Sequence, residues 1–398
     1  MDEETKTEGE ASIGKALLFM SMAAFASVAT MRVADPLIPQ IAHDFNVTAG
    51  EAAIVSSAFT IAYAVGQFVH GPLGDRFGKL RIIGWMTIIS ALTVSAAGLA
   101  SSLASLGLVR FLAGTTAAAI VPLAMAFIGD HVAYENRQAV LARFLMGTTL
   151  GVVVGQSLGG LIGDWFGWRA VFPLLGFILL VMGLALLFEV KHGRLPPPML
   201  SKTLSLTSIT AGYKTLMRNP WARVILVIVF IEAFFFYGAF TFIGADLHQR
   251  FNISYSHVGF ILCFFGIAGL IYASTVRLLI RRLGEHGLAM AGGILLASGF
   301  AAIIILPLTL IPIGMFAMGL GLYMVHNTLQ TNATQMAPES RGLAVSTFAN
   351  ILFLGQAAGI VAGGLVVDHA GFFTTYMIAA SSLGLLSIGF SHLLRLRR

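Results

Sequence analysis

The chain has 398 residues, of which 57% are apolar and only 11% are charged. A soluble domain carries roughly a quarter charged residues, so most of this protein's surface must face something other than water. The net charge of +6 does not indicate nucleic-acid binding, because the basic residues are segregated by position along the chain.

The predicted elements begin after an acidic, polar tail, residues 1–14, which is unlike a cleaved signal peptide. Apolar stretches of about 20 residues follow, long enough to span a bilayer as helices and too long for barrel strands. Twelve are predicted, near residues 15–40, 50–72, 82–101, 103–129, 138–162, 167–189, 221–245, 256–278, 286–306, 311–335, 341–366 and 371–393. This pattern predicts an all-α membrane protein with twelve transmembrane helices.

The 24 Lys and Arg residues are distributed very unevenly between the predicted loops. Arg169 and Arg250 lie in loops on one side, Arg32 and Arg110 lie within spans, and the other twenty lie on the side of both termini. By the positive-inside rule both termini, including the tail 394–398, are cytoplasmic. We therefore expect a multi-pass protein of the plasma (inner) membrane.

The loop after the second span, residues 71–81, reads GPLGDRFGKLR. Its glycines allow tight turns and close packing. A basic loop that only sets topology does not account for Asp75, an acid well placed to meet a helix N-terminus or an arginine. Arg137, at the start of the fifth span, is its natural partner. The candidate gating residues are Gly71, Gly74, Asp75, Arg76, Gly78 and Arg137.

Charged residues of the first and fourth spans lie at similar predicted depth. Asp35 and Arg110 are each roughly 8–11 Å inside the membrane, at 1.5 Å per helical residue. A charge there costs roughly 2.5–3.5 kcal/mol on insertion scales, so it needs a partner and indicates function. We expect Asp35 and Arg110 to pair and to take part in proton coupling. Arg32, one turn from Asp35, competes for it, and a static ion pair is the alternative.

The fifth span carries glycines at a spacing of four residues. They lie on one helix face and allow a neighbouring helix to approach closely. Gln156 follows the second of them directly. The predicted helix-packing residues are Gly151, Gly155, Gly159 and Gly160.

Residues 190–220 interrupt the hydrophobic pattern with basic residues and three consecutive prolines, 196–198. The stretch is long for a loop in a compact domain and is predicted to be a cytoplasmic linker. Apolar residues between 204 and 217 suggest a short amphipathic helix on the membrane surface. The linker separates two predicted bundles, 15–189 and 221–393.

Glu232 is the one acid that the pattern places near mid-membrane in the seventh span. A carboxyl group in apolar surroundings suits a proton carrier, or an anchor for a cationic solute beside aromatic rings. The alternative is a structural, hydrogen-bonded glutamate. The tenth span has a polar inner half that either joins helices or lines a water-filled cavity. The candidate cavity residues are Arg32, Tyr63, Gln67, Tyr237, His326, Asn327, Gln330 and Gln356.

The two halves of the chain are similar in sequence at a shift of 204 residues. Ten identities coincide, among them Gly159 with Gly363, Asp164 with Asp368, and Gly167 with Gly371. They make the eleventh span a copy of the fifth and indicate parallel six-helix repeats around a central linker.

The loop 71–81 resembles the signature loop between the second and third helices of the major facilitator superfamily. The segment 106–114 around Arg110 resembles the family's helix-4 motif. The segment 151–160 resembles its antiporter motif, with Gln156 where the family has proline. The resemblance covers residues 15–393 and is strongest to the drug:proton antiporter-like twelve-helix branch.

The resemblance implies two pseudo-symmetric six-helix bundles that rock around a central cavity. It implies that Asp75 latches the halves in the outward-open state and that Arg110 takes part in proton transfer. The implied function is proton-coupled efflux of a small organic solute by a monomer. An uncoupled facilitator, a proton-symporting importer of a sugar or organic anion, and a non-transporting sensor are the alternatives.

The sequence contains no nucleotide-binding loop, no nucleophile elbow and no metal-spaced His/Cys set. The single cysteine, Cys263, excludes a disulfide within the chain. We therefore expect no enzymatic activity, no metal and no cofactor, and the expected partners are a small-molecule substrate, protons and the lipid bilayer.

Overall fold

The computed structural model describes residues 3–192, 206–337 and 341–397. They are almost entirely helical, because backbone groups in a bilayer must be hydrogen bonded within their own segment. Within this described part, ten segments are long and apolar enough to cross a membrane. Two of them hold two spans each, joined at Gly284 and Gly371, where the backbone leaves helical geometry. The predicted twelve-helix fold is confirmed.

The first half contains six helices, three of which are broken or bent. The bounds are α1, Glu3–Arg32 continued by a 3-10 turn at Asp35–Leu37 and by Ile38–Phe45; α2, Ala49–Ala52 and Ile54–Phe77; α3, Lys79–Ala97; α4, Leu103–Ala117 and Ile120–His131; α5, Tyr134–Phe166; and α6, Trp168–His192. The break in α1 precedes Pro36, which disfavours helical geometry in the residue before it.

The second half repeats this arrangement after a linker helix, Leu206–Arg218. The bounds are α7, Pro220–Phe240 and Ile243–Phe251; α8 and α9, the two parts of Tyr255–Ile305 on either side of Gly284; α10, Leu308–Leu310 and Ile311–Gln335; and α11 and α12, the two parts of Arg341–Leu396 on either side of Gly371. Twelve crossings place both termini on one face of the bundle, which we call the terminal face; the other is the opposite face.

Corresponding turns of the two halves use the same backbone geometry. Residues with positive φ end α1 and α7, end α2 and α8, and end α5 and α11. These pairs are Asn46 and Asn252, Gly78 and Gly284, and Gly167 and Gly371. Glycine and asparagine adopt positive φ at little steric cost, so the repeat seen in the sequence is also a repeat of turn geometry.

The glycines of α5 form a ridge against α1. A Cβ atom added at Gly151, Gly155 or Gly159 would lie within 2.7 Å of the backbone of α1. Gly355, Gly359 and Gly363 of α11 meet the backbone of α7 in the same way. The partner residues in α1 and α7 are 205 positions apart, at 25 and 230, 29 and 234, and 33 and 238.

Each half has its own main apolar core, and two helix pairs make the most extensive contacts between the halves. The pairs are α2 with α11 and α5 with α8. Large apolar side chains on the outside of the bundle, such as Trp165, Phe177 and Leu385, are exposed, as expected for surfaces that face lipid.

The predicted amphipathic helix of the linker coincides with the helix Leu206–Arg218. Leu216 of this helix is buried against the core of the second half. The basic and proline-rich part of the linker, 193–205, lies outside the described residues. So does Glu339, which matches Glu135 in the 204-residue repeat.

Candidate functional site

A cavity of about 100 Å³ lies between the halves. The first half contributes Arg32 of α1 and Val152 of α5, and the second half contributes the remaining walls. Those walls come from α7, α8, α10 and α11 and comprise Glu232, Ala233, Tyr237, Phe265, Leu322, Tyr323, His326 and Leu352. The cavity therefore combines an arginine, an acid, an imidazole and aromatic rings, and both halves contribute to it.

Glu232 and His326 form a pair on the wall of this cavity. His326 Nδ1 lies 2.9 Å from Glu232 Oε2, a hydrogen-bond distance. The Glu232 side chain is 1% exposed, and its Oε1 has no hydrogen-bond partner among the described residues. The pair therefore leaves one carboxylate oxygen, Glu232 Oε1, available to a further hydrogen-bond donor or to a cationic group.

Arg32, on the wall of the cavity, connects the two halves. Its guanidinium carbon lies 4.4 Å from the centre of the Tyr237 ring, within cation–π range. Arg32 Nη2 lies 3.4 Å from Gln356 Oε1 of α11. Gln356 Nε2 in turn donates to Thr60 Oγ1 of α2 over 3.3 Å. This polar chain joins α1, α11 and α2 across the interface.

Asp35 forms its ion pair with Arg32. Arg32 Nη1 lies 3.8 Å from Asp35 Oδ2, and Ser56 Oγ donates to Asp35 Oδ1 over 3.2 Å. Both charged side chains are at least nine-tenths buried. The 3-10 turn that begins at Asp35 turns the carboxylate toward α2 and back toward Arg32.

Arg110 is fully buried and bound within its own half. Its Nε donates to the backbone oxygen of Val55 over 2.8 Å, and its guanidinium carbon lies 4.4 Å from the Phe59 ring centre. The ion pair of Asp35 is therefore with Arg32, whereas Arg110 interacts with Asp35 at longer range, and the part of both in proton coupling stays a prediction. Val55 holds the Nε of Arg110, while its Nη1 and Nη2 have no hydrogen-bond partner among the described residues.

Several predicted cavity residues lie away from the described cavity. Tyr63 is buried, with its ring centre 4.8 Å from that of Phe353 across the interface. Gln67 is half-buried, and Asn327 Nδ2 donates back to the Tyr323 oxygen of its own helix. Gln330 is exposed. Helix rotation, which the hydropathy pattern leaves open, separates these residues from Arg32, Tyr237 and His326.

The gating loop has a different ion pair from the predicted one. Lys79 Nζ lies 3.0 Å from Asp75 Oδ1 and 2.7 Å from Asp130 Oδ2. Arg137 Nη2 donates to the Val132 oxygen over 3.3 Å. Asp75 is thus paired with Lys79, one turn away, and its pairing with Arg137 during gating stays a prediction.

The glycines of the gating loop differ in what they meet. Gly78 has φ of 92°, where other residues are strained. A Cβ atom at Gly74 would meet Leu123 of α4, whereas one at Gly71 would meet nothing within 4 Å. Arg76 extends over the ring of Phe77, 5.2 Å from its centre.

Sequence reasoning missed part of the cavity wall. Tyr323 lies three residues before His326 and on the same helix face, a spacing that the sequence shows. Ser56 and Thr60 of α2, which contact Asp35 and Gln356, also share one face at a spacing of four. In the described residues no group of three or more His, Cys, Asp or Glu side chains is arranged to hold a metal ion.

Comparison with protein families gives one match that spans most of the chain. The model of the Major Facilitator Superfamily matches residues 20–359. The uncharacterized MFS-type transporter YceJ of Bacillus subtilis (strain 168) is 25% identical over 335 residues, 83% of this chain and 84% of that relative. The bicyclomycin resistance protein homolog of Haemophilus influenzae is 26% identical over 349 residues, 84% of each chain.

Solved structures share the fold at low sequence identity. A crystal structure of the nucleoside transporter NupG superposes with a TM-score of 0.73 at 15% identity, covering 96% of this chain and 99% of that one. The xylose transporter XylE from E. coli, in a partially occluded inward open conformation, gives 0.73 at 13% identity, with coverage of 96% and 98%.

Proposed function

Because this chain belongs to the Major Facilitator Superfamily, we propose that it is a proton-coupled exporter of a small organic solute. The family and the relatives are transporters, not enzymes. The solute binds in the cavity between the halves, and the halves rock to expose that cavity to one side of the membrane at a time. The protein works as a monomer in the plasma (inner) membrane, with its terminal face in the cytoplasm.

The observation that carries the proposal is the Glu232–His326 pair on the cavity wall. A buried acid in a membrane protein needs a partner and indicates function. The two side chains meet at a 2.9 Å contact, and Glu232 Oε1 is left open to a proton or to a cationic solute. A proton and a solute that both bind there compete, and this competition gives antiport when the carrier changes its orientation only with one of them bound.

Arg32 supplies a second link between solute and proton. It contacts Asp35 in its own half and Gln356 and Tyr237 in the other half. An anionic solute that draws Arg32 away from Asp35 would favour protonation of Asp35 and so bind together with a proton, which is the coupling of the symporter alternative rather than of antiport. The positive charge of Arg110, which interacts with Asp35, opposes that protonation.

The gating residues act at the terminal face. The Asp75–Lys79–Asp130 cluster lies where α2, α3 and α4 meet. In the cycle, Asp75 exchanges Lys79 for Arg137 when the terminal face closes, because closure brings the start of α5 to the loop 71–81.

The test is solute-evoked proton movement in everted vesicles with an imposed pH gradient. Lipophilic cations, sugars and organic anions are the trial solutes. Wild type is compared with Glu232→Gln, which keeps the side-chain shape and removes the titrating group. We expect at least one solute class to evoke proton movement in wild type and the variant to lose it by about tenfold or more.

A matched control is Glu189→Gln. Glu189 is also a buried glutamate, but it lies at the end of α6 and accepts a hydrogen bond from Ser12. The control is expected to keep wild-type proton movement. Solute flux without a proton signal, unchanged by Glu232→Gln, would contradict antiport.

A facilitator or symporter of an anionic solute is the second candidate. The observation in its favour is Arg32, a buried guanidinium on the cavity wall whose contact with Asp35 is long, 3.8 Å. An anion that binds Arg32 would be carried with or without a proton. Flux of organic anions that is lost in Arg32→Gln and retained in Glu232→Gln would support this candidate.

A further inference from the structure

Two aspartates, Asp164 and Asp368, occupy equivalent positions in the two halves. Each lies four residues after the second glycine of a Gly-Gly pair and three before a glycine with positive φ. They are the last acids of α5 and α11 before the opposite face. Neither belongs to the cavity or to the gating loop, so the transport site described above does not use them.

Asp164 caps a helix of the other half. Its Oδ1 accepts from the backbone N–H of Tyr255 over 2.9 Å, and its Oδ2 accepts from that of Ser256 over 2.7 Å. These are the first two residues of α8, whose own N-cap is Ser254. The first-turn N–H groups of a helix have no partner within the helix, and a carboxylate is well suited to them.

Asp368 of the second half caps α2 of the first half. Its Oδ1 accepts from the backbone N–H of Gly50 over 3.0 Å, and its Oδ2 accepts from Thr48 Oγ1 over 2.6 Å. Thr48 is the N-cap of α2 and Gly50 lies in its first turn. The two contacts are therefore related by the internal repeat, each running from one half to the other.

Glycines bring the helices close enough for these contacts. A Cβ atom at Gly160 would clash with the backbone of Tyr255, and one at Gly364 would lie 2.9 Å from Cα of Gly50. At Gly259 it would lie 2.6 Å from the backbone oxygen of Gln156. The backbones of α5 and α8, and of α2 and α11, are thus in direct contact at the opposite face.

We propose that Asp164 and Asp368 form a paired latch that holds the opposite face closed. Opening this face separates α5 from α8 and α2 from α11. The two aspartates then lose the hydrogen bonds from three backbone N–H groups and from the Thr48 hydroxyl. One latch lies at the α5–α8 contact and the other at the α2–α11 contact, so each stabilises the closed state. The inference rests on the proposed alternating access. The assignment of the opposite face to the extracytoplasmic side rests on the proposed orientation of the protein in the membrane.

The test measures access to the cavity without any substrate. A single cysteine is placed at Val152, on the cavity wall, in a Cys263→Ser background. Its reaction with a membrane-impermeant maleimide is timed from the extracytoplasmic side in intact cells and from the cytoplasmic side in everted vesicles. Asp164→Asn and Asp368→Asn each keep the side-chain shape but leave one oxygen acceptor instead of two.

We expect each variant to raise the extracytoplasmic labelling rate by about fivefold and to lower the cytoplasmic rate. The double variant is expected to give about the product of the two effects, because the sites are separate. A misfolded carrier would instead react faster from both sides.

Asp44→Asn is the matched control. Asp44 is an acid at the same face that accepts from Trp168 Nε1 over 2.9 Å and pairs with Arg169, both in its own half. It is expected to leave both rates unchanged. Unchanged labelling in the double latch variant, or an equal rise in Asp44→Asn, overturns the proposal.

A cysteine pair, Thr48→Cys with Asp368→Cys, covers the case of a double variant that does not reach the membrane. Oxidation is expected to join the pair and to abolish extracytoplasmic labelling at Val152→Cys, reversibly with reductant. Failure of the pair to join contradicts the close contact. A rise in labelling seen only in everted vesicles would retain the latch and overturn the orientation, and loss of antiport with the latch intact would overturn only the function.

Discussion

At the scale of single residues, the choice of partner for each buried charge decides what the site can do. Asp35 has two candidate arginines, and it pairs with Arg32 at 3.8 Å. Arg110 is held by the Val55 oxygen and by aromatic rings. This leaves Arg32 as the one of the two arginines that lines the cavity and also touches the other half.

Arg110→Lys is predicted to destabilise the protein. A lysine lacks the planar guanidinium that bonds the Val55 oxygen and packs on Phe59 together. We expect a loss of about 1–2 kcal/mol, seen as a lower melting temperature of the purified protein in detergent. Arg277→Lys, at an exposed position of α8, is the control and is expected to change little. Equal melting temperatures for both variants would count against a bound Arg110.

At the scale of elements, glycine ridges set the distance between helices. A Cβ atom at Gly155 would lie 2.7 Å from the Ala29 oxygen, and one at Gly359 would meet the backbone of Phe234 even more closely. Backbone atoms cannot rotate out of the way as a side chain can, so any added methyl group must push the helices apart. The ridges hold α1 and α7, which carry Arg32, Glu232 and Tyr237, in place.

Gly155→Ala and Gly359→Ala are predicted to destabilise the fold by about 1–3 kcal/mol each. The matched control is Gly389→Ala in α12, where an added Cβ atom meets nothing within 4 Å. Since alanine favours helix more than glycine does, the control is expected to keep or slightly raise stability. Yield of folded protein and melting temperature in detergent are the measurements. A control as unstable as the ridge variants would show that glycine spacing is not the cause.

At the scale of the whole molecule, the internal repeat produces a two-fold set of contacts around one asymmetric cavity. The latches, the glycine ridges and the positive-φ turns occur twice. The charged groups of the cavity occur once, because Arg32 corresponds to Tyr237 and Glu232 to Ser27 at the 205-residue shift between α1 and α7. The contacts that hold the helices together are thus repeated in both halves, whereas the charged groups of the cavity are not.

The orientation of the molecule is predicted from its basic residues. Twenty of the 24 Lys and Arg lie on the side of the terminal face. We expect a C-terminal green fluorescent protein fusion to fluoresce and an alkaline phosphatase fusion after residue 253 to be active. A phosphatase fusion after residue 133, on the terminal face, is the control and is expected to be about tenfold less active. The reverse pattern of activities would invert the assignment.

Much of this architecture could be predicted from the sequence. Hydropathy, the positions of Lys and Arg, and the identities at a shift of 204 residues are properties of position along the chain. They are sufficient for the twelve helices and the repeat, because a bilayer admits few alternatives to an apolar helix. The same pattern predicts Glu232 and His326, each on its own, as polar residues within membrane spans.

The partners of these residues were decided by the tertiary structure. Glu232 and His326 are 94 positions apart, and Asp164 and Tyr255 are 91 apart. The sequence by itself determined which residues enter the membrane and in which repeat. Only the packed bundle decided that Asp35 meets Arg32, that Asp75 meets Lys79, and that Asp164 and Asp368 cap helices of the other half. The physical reason is that these contacts depend on helix rotation and backbone approach, which neighbouring helices set together.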